Sequence, residues 1–70
     1  MKRKPVVSSN LKSVGYAPTK QLLEIGFRSG RVYQYQGVSR ARHEGLMSAA
    51  SKGKYHWKHI RTALPYTRVK

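Results

Sequence analysis

Cysteine is absent from the 70 residues, and only two acids, Glu24 and Glu44, stand anywhere in the chain. Without cysteine there is no disulfide scaffold, no thiolate metal site and no thiol nucleophile. Two isolated acids leave no pair for carboxylate acid–base chemistry, because Glu24 falls in a strand-like segment and Glu44 in a helix-like one, near Arg40. Long apolar runs are also missing: none exceeds two residues, whereas a membrane helix needs roughly 20. Met1-Lys2-Arg3-Lys4 has the charge of an export signal, but Pro5-Val6-Val7-Ser8-Ser9-Asn10 cannot serve as its apolar segment. A cytoplasmic chain is expected.

What the sequence does hold is positive charge. Lys and Arg together number 15, which gives a formal net charge of +13. Such a surface repels itself and favours an anionic partner. A wholly disordered polycation is excluded by the 39% hydrophobic and 10% aromatic content. The length allows one domain that buries roughly 60% of its unfolded surface, enough for a thin core.

Periodicity supplies the architecture. Leu23, Ile25 and Phe27 alternate with Glu24, Gly26 and Arg28, a period of two with one buried face on which Phe27 is expected. Ser29-Gly30 makes a turn, and Tyr33 and Tyr35 alternate on the next segment, so the two runs form an antiparallel hairpin. A preceding strand lies before the Ala17-Pro18-Thr19-Lys20 turn. Beyond Gly37-Val38, Ser39 caps a helix over residues 40–50, with Leu46, Ala49 and Ala50 as its apolar stripe. Gly45 there allows close approach to a strand, and Gly53 suits a left-handed cap. A second helix over residues 54–64 would bury Trp57, Ile60 and Leu64 before Pro65 ends it. The predicted fold class is α+β: a three-stranded antiparallel meander (residues 11–16, 22–27 and 32–36), a helix packed on the sheet, and a short basic helix. Residues 1–7 form a basic arm, 8–65 the domain, and 66–70 a basic tail or short closing strand.

Three motifs in order carry a family resemblance. Ser8-Ser9-Asn10-Leu11-Lys12-Ser13-Val14-Gly15-Tyr16 resembles the opening of the KTSC domain, a module found at the C-terminus of some lysyl-tRNA synthetases and as small free-standing bacterial and phage proteins. The spacing Leu23-x-Ile25-x-Phe27-x-x-Gly30-x-x-Tyr33-x-Tyr35-x-x-Val38 resembles its central hairpin. Ala50-Ser51-Lys52-Gly53-Lys54-Tyr55, then Ile60-Arg61, resembles its closing motif. Ser39 and His56-Trp57 depart from the family's usual residues. The resemblance implies a fold and a nucleic-acid neighbourhood, with no reaction to carry over.

The candidate site is therefore a binding surface. Lys52, Lys54, Lys58 and Arg61 make a helical ridge suited to a run of phosphates, and Tyr55 beside it can stack on a ligand. Arg40 with Arg42, and Lys2, Arg3 and Lys4, form two further clusters. Tyr33 and Tyr35 belong either to the core or to a stacking platform. His43, His56 and His59 lack the carboxylate or thiolate that would complete a metal site, and near phosphate they would titrate upward. Arg28-Ser29-Gly30-Arg31 and Ser51-Lys52-Gly53-Lys54 are glycine turns without a Walker pattern. No cofactor is expected and no catalytic residue is assigned. The expected function is a non-catalytic nucleic-acid-binding module, holding the phosphate backbone with little sequence specificity and slightly preferring RNA to DNA. The alternative is a small regulatory protein, phage-encoded for instance, that docks on an acidic groove of a polymerase or nuclease.

Overall fold

Alternation builds the sheet as the sequence reading requires, and the chain then extends it at both sides. The computed structural model describes residues 2–70. Strands β1 (Lys4–Pro5), β2 (Leu11–Ala17), β3 (Leu22–Phe27), β4 (Val32–Tyr35) and β5 (Tyr66–Arg68) form one antiparallel sheet in chain order. The hairpin pairs Leu23 with Tyr35 and Ile25 with Tyr33, and Gly30 takes the positive φ its turn demands, +96°. A register shift between Leu11 and Ser13 marks a bulge in β2, where the Lys12 carbonyl accepts from the Val6 amide.

Two segments outside the expected meander join it. Lys4 and Pro5 of the expected solvated arm pair with Val14 and Ser13, and Met1 of that arm lies outside the described residues. The 66–70 segment closes the sheet as a strand: Tyr66 pairs with Tyr35, and the Val32 amide donates to the Lys70 carbonyl.

Helix α1 (Arg40–Ser48) is capped by Ser39, whose Oγ accepts from the Arg42 amide. It stops two residues earlier than expected because Ala49 turns extended (ψ 140°). The stripe shrinks accordingly: Leu46 is buried, Ala49 half-buried and Ala50 exposed. Gly53 plays no part in this stop, since it lies inside α2 (Lys52–Tyr55) with no positive φ. The chain then passes directly into a π-helical turn, His56–Arg61.

The core joins Leu11, Val14, Leu23, Ile25 and Tyr35 from the sheet to Val38, Leu46 and Ile60. Tyr16 anchors α1 by donating to the Val38 carbonyl (2.6 Å) and stacking on His43 at 4.4 Å between ring centres. Phe27, expected buried, is half-buried against Tyr33 and His56, because it ends β3 where the core opens. β3 itself is buried on both faces. Its Glu24 is only 6% exposed and accepts from Arg3 and Gln34 on the face away from the helices. No described helix is long and apolar enough to cross a membrane.

Gly45 does allow a close approach, but to the Tyr55 ring rather than to a strand. A Cβ there would overlap the Tyr55 hydroxyl and come within 2.7 Å of Cζ. Gly45→Ala therefore gains about 1 kcal/mol of helix propensity and loses about 1–3 kcal/mol to overpacking. We expect a net loss of stability, read as a lower urea midpoint. The same change in a Tyr55→Leu background should be neutral or stabilising.

Candidate functional site

The site grows from one helical phase. A regular α-helix over residues 54–64 would place Trp57 with Ile60 and Leu64 against the sheet. In the π-helical turn, bonded i to i+5, each residue advances by a smaller angle, and the buried pair becomes His56 and Ile60. Trp57, expected in the core or at its edge, is turned outward and is 55% exposed. The phase is held by His56 Nε2, which shares a 2.7 Å hydrogen bond with the Tyr35 hydroxyl deep in the core. Burial, reinforced by the charge of Arg61, pushes the His56 pKa down to about 4. Burial likewise raises the Tyr35 pKa to about 12. Both groups are neutral near pH 7. Burial also lowers the His43 value, so without a phosphate beside them both histidines sit below the ordinary range.

Trp57 separates two grooves that share Asn10 and Gly53. On one side lies a cleft of about 220 Å³ walled by Phe27, Tyr33, Tyr35 and His56, with Arg31 and Arg61 on its lining. On the other side is a shallower, open trough along Ser9, Ser51, Lys54 and Lys58. The Arg61 guanidinium sits 4.6 Å from the Trp57 ring centre, a cation–π contact. Asn10 is set by the Ser8 hydroxyl, which accepts from the Asn10 and Leu11 amides. The hairpin turn is tied to the same segment, because the Arg28 amide donates to the Asn10 carbonyl at 3.0 Å. Among the described residues no carboxylate lines either groove. Glu24 is held on the opposite sheet face. Burial alone would raise its pKa, but hydrogen bonds from Gln34 and Arg3 and the charge of Arg3 outweigh that and lower it.

The expected site residues divide. Lys54, Lys58 and Arg61 are exposed and flank Trp57. Lys52 is half-buried, with its ammonium on the Ala49 carbonyl at 3.5 Å. Tyr55, expected to stack on a ligand, is half-buried over Gly45 with one face against His59, 4.6 Å away. Arg40, Arg42, Lys2, Arg3 and Lys4 line neither groove, and Arg3 is tied to Ser13 and Glu24. Tyr35 is core, while Tyr33 on the same face is half-buried and borders the cleft, stacked on Tyr66. Among the described residues no three His, Asp or Glu side chains gather to hold a metal. The residues missed by sequence reasoning are Asn10, Arg31 and the outward Trp57. Asn10 and Arg31 both sat in quoted motifs, but only the fold brings them beside α2.

Residues 7–63 match the family model of the KTSC domain. The chain belongs to the KTSC domain family. A solved crystal structure, that of a KTSC domain protein from Yersinia pestis, is 39% identical, with a TM-score of 0.94 over 99% of this chain and 97% of that one. An uncharacterized protein of Stutzerimonas stutzeri (strain A1501) is 42% identical over 79% of this chain and 78% of its own length. A lysine–tRNA ligase of Nostoc is 38% identical over 87% of this chain, which spans only 11% of that enzyme.

A neutral buried His56 makes this KTSC domain acid-sensitive. The unfolded side chain takes up its proton near pH 6.5 and the folded one only near pH 4. Stability present above pH 6.5 should therefore fall by about 3 kcal/mol as pH drops from 6.5 to 4. Urea titrations across that window should show the loss. His56→Gln should flatten the slope there, even if it lowers stability overall.

Proposed function

We propose that this KTSC domain is a cytoplasmic, non-catalytic nucleic-acid-binding module that holds phosphates and reads little base sequence. The observation that carries this reading is the Trp57-centred surface. Arg31, Arg61, Lys54 and Lys58 flank it, with no carboxylate among its lining residues. Lys heads meet phosphates as point charges, and contacts of that kind position a strand without reading its bases. The match to part of a lysine–tRNA ligase favours RNA over DNA by association. An acidic groove on a nucleic-acid enzyme is the alternative partner for the same cations.

Binding to phosphates must release counterions, so log K falls linearly with log salt by about 0.7 to 0.9 per phosphate neutralised. Four flanking cations give an expected slope of about −3 to −4. Lys58→Ala should reduce it by about 1 and weaken all sequences alike. Fluorescence anisotropy with labelled RNA and DNA at several salt concentrations measures this. Affinity weaker than about 100 µM near physiological salt would remove the nucleic-acid reading and leave the acidic protein partner.

A further inference from the structure

The cleft on the His56 side of Trp57 has a different chemistry from the open trough. Its walls are aromatic, with Phe27, Tyr33 and Tyr35 opposite Trp57, and its cations are Arg31 and Arg61. Its volume, about 220 Å³, is below the roughly 300–1,000 Å³ typical of drug-sized ligands. That suits one planar ring system and no more. His56 is 4% exposed, and its recorded bond is the one to Tyr35 through Nε2. No buried side-chain nitrogen or oxygen lacks a partner among the described residues. The His56 ring, bonded to Tyr35 through Nε2, lines the cleft. The cleft thus combines rings to stack on with guanidinium groups for an anion.

We infer that this cleft receives a single unpaired nucleobase from a nucleic-acid strand, stacked on Trp57, while Arg31 and Arg61 hold the phosphates on either side of it. This rests on the phosphate-binding reading and adds a requirement to it: the base must leave its stack. A paired base can enter only by unpairing, so duplex is disfavoured relative to single strand. Stacking tolerates any base, since each has a π-face, and so adds affinity without adding sequence preference. Trp57 is more than half exposed and outside the core cluster, and a base stacking on it takes the place of the Arg61 guanidinium, which moves from the ring to the phosphate.

The chain has one tryptophan, so its emission reports the cleft directly. The experiment compares a short oligothymidylate, an abasic strand of equal length and charge, and a duplex at one salt concentration. The oligothymidylate should bind about fivefold to a hundredfold more tightly than the abasic strand and quench Trp57 emission. The duplex should bind at least about fivefold more weakly than the single strand. Trp57→Ala, with its fold checked by circular dichroism, should abolish the advantage of the base-bearing strand over the abasic one. Equal affinities for base-bearing and abasic strands, or unchanged emission at saturation, would overturn the base site while the phosphate reading stands. Failure of every strand to bind would overturn both.

Discussion

The hydrogen bond between the Tyr35 hydroxyl and His56 Nε2 is the constraint on which the rest of this structure depends. Both residues are buried, so breaking the bond from one side would leave a polar group unsatisfied, at a cost of about 1–3 kcal/mol. The bond joins the fourth strand to the first residue of the π-helical turn and sets the rotation of that turn. Ile60 follows into the core one turn later. Trp57 is turned away, and Lys58 and Arg61 follow it into solvent. The exposed ring and its cations are thus products of a core interaction that neither of them makes.

The scarcity of acids acts with this geometry. Glu24 is the acid that the sheet buries, and Arg3, Ser13 and Gln34 bind it into a small network on the far face. Glu44 is exposed on the first helix and lines neither groove. The cations around Trp57 therefore have no internal counterion in either groove, and their mutual repulsion is relieved only by an anion from outside.

The hairpin was legible because period two has one physical meaning, and Leu23, Ile25 and Tyr35 are buried on one face as that period requires. The Ser39 cap and the positive φ at Gly30 were legible for equally local reasons. The helical part was less so. A stripe drawn at 3.6 residues per turn puts Trp57 inside, and no local residue announces the wider turn that puts His56 there instead. That choice is made by Tyr35, 21 positions away in the chain. Arg31 and Asn10 were hidden for a related reason: each is an ordinary turn residue until the hairpin and the segment before the second strand meet. The family resemblance reached the fold, but the cleft depends on how the π-helical turn places His56 and Trp57.

The outermost strands carry a consequence of their own. Lys4–Pro5 and Tyr66–Arg68 are two and three residues long, and all five are exposed. A proline has no amide to offer a neighbouring chain, and lysine or arginine at such a margin repels a second copy bearing the same charge. Each strand is also too short to template a long run of pairing. The sheet is therefore guarded against growing by strand addition, and crowded copies of this highly charged domain would resist merging edge to edge.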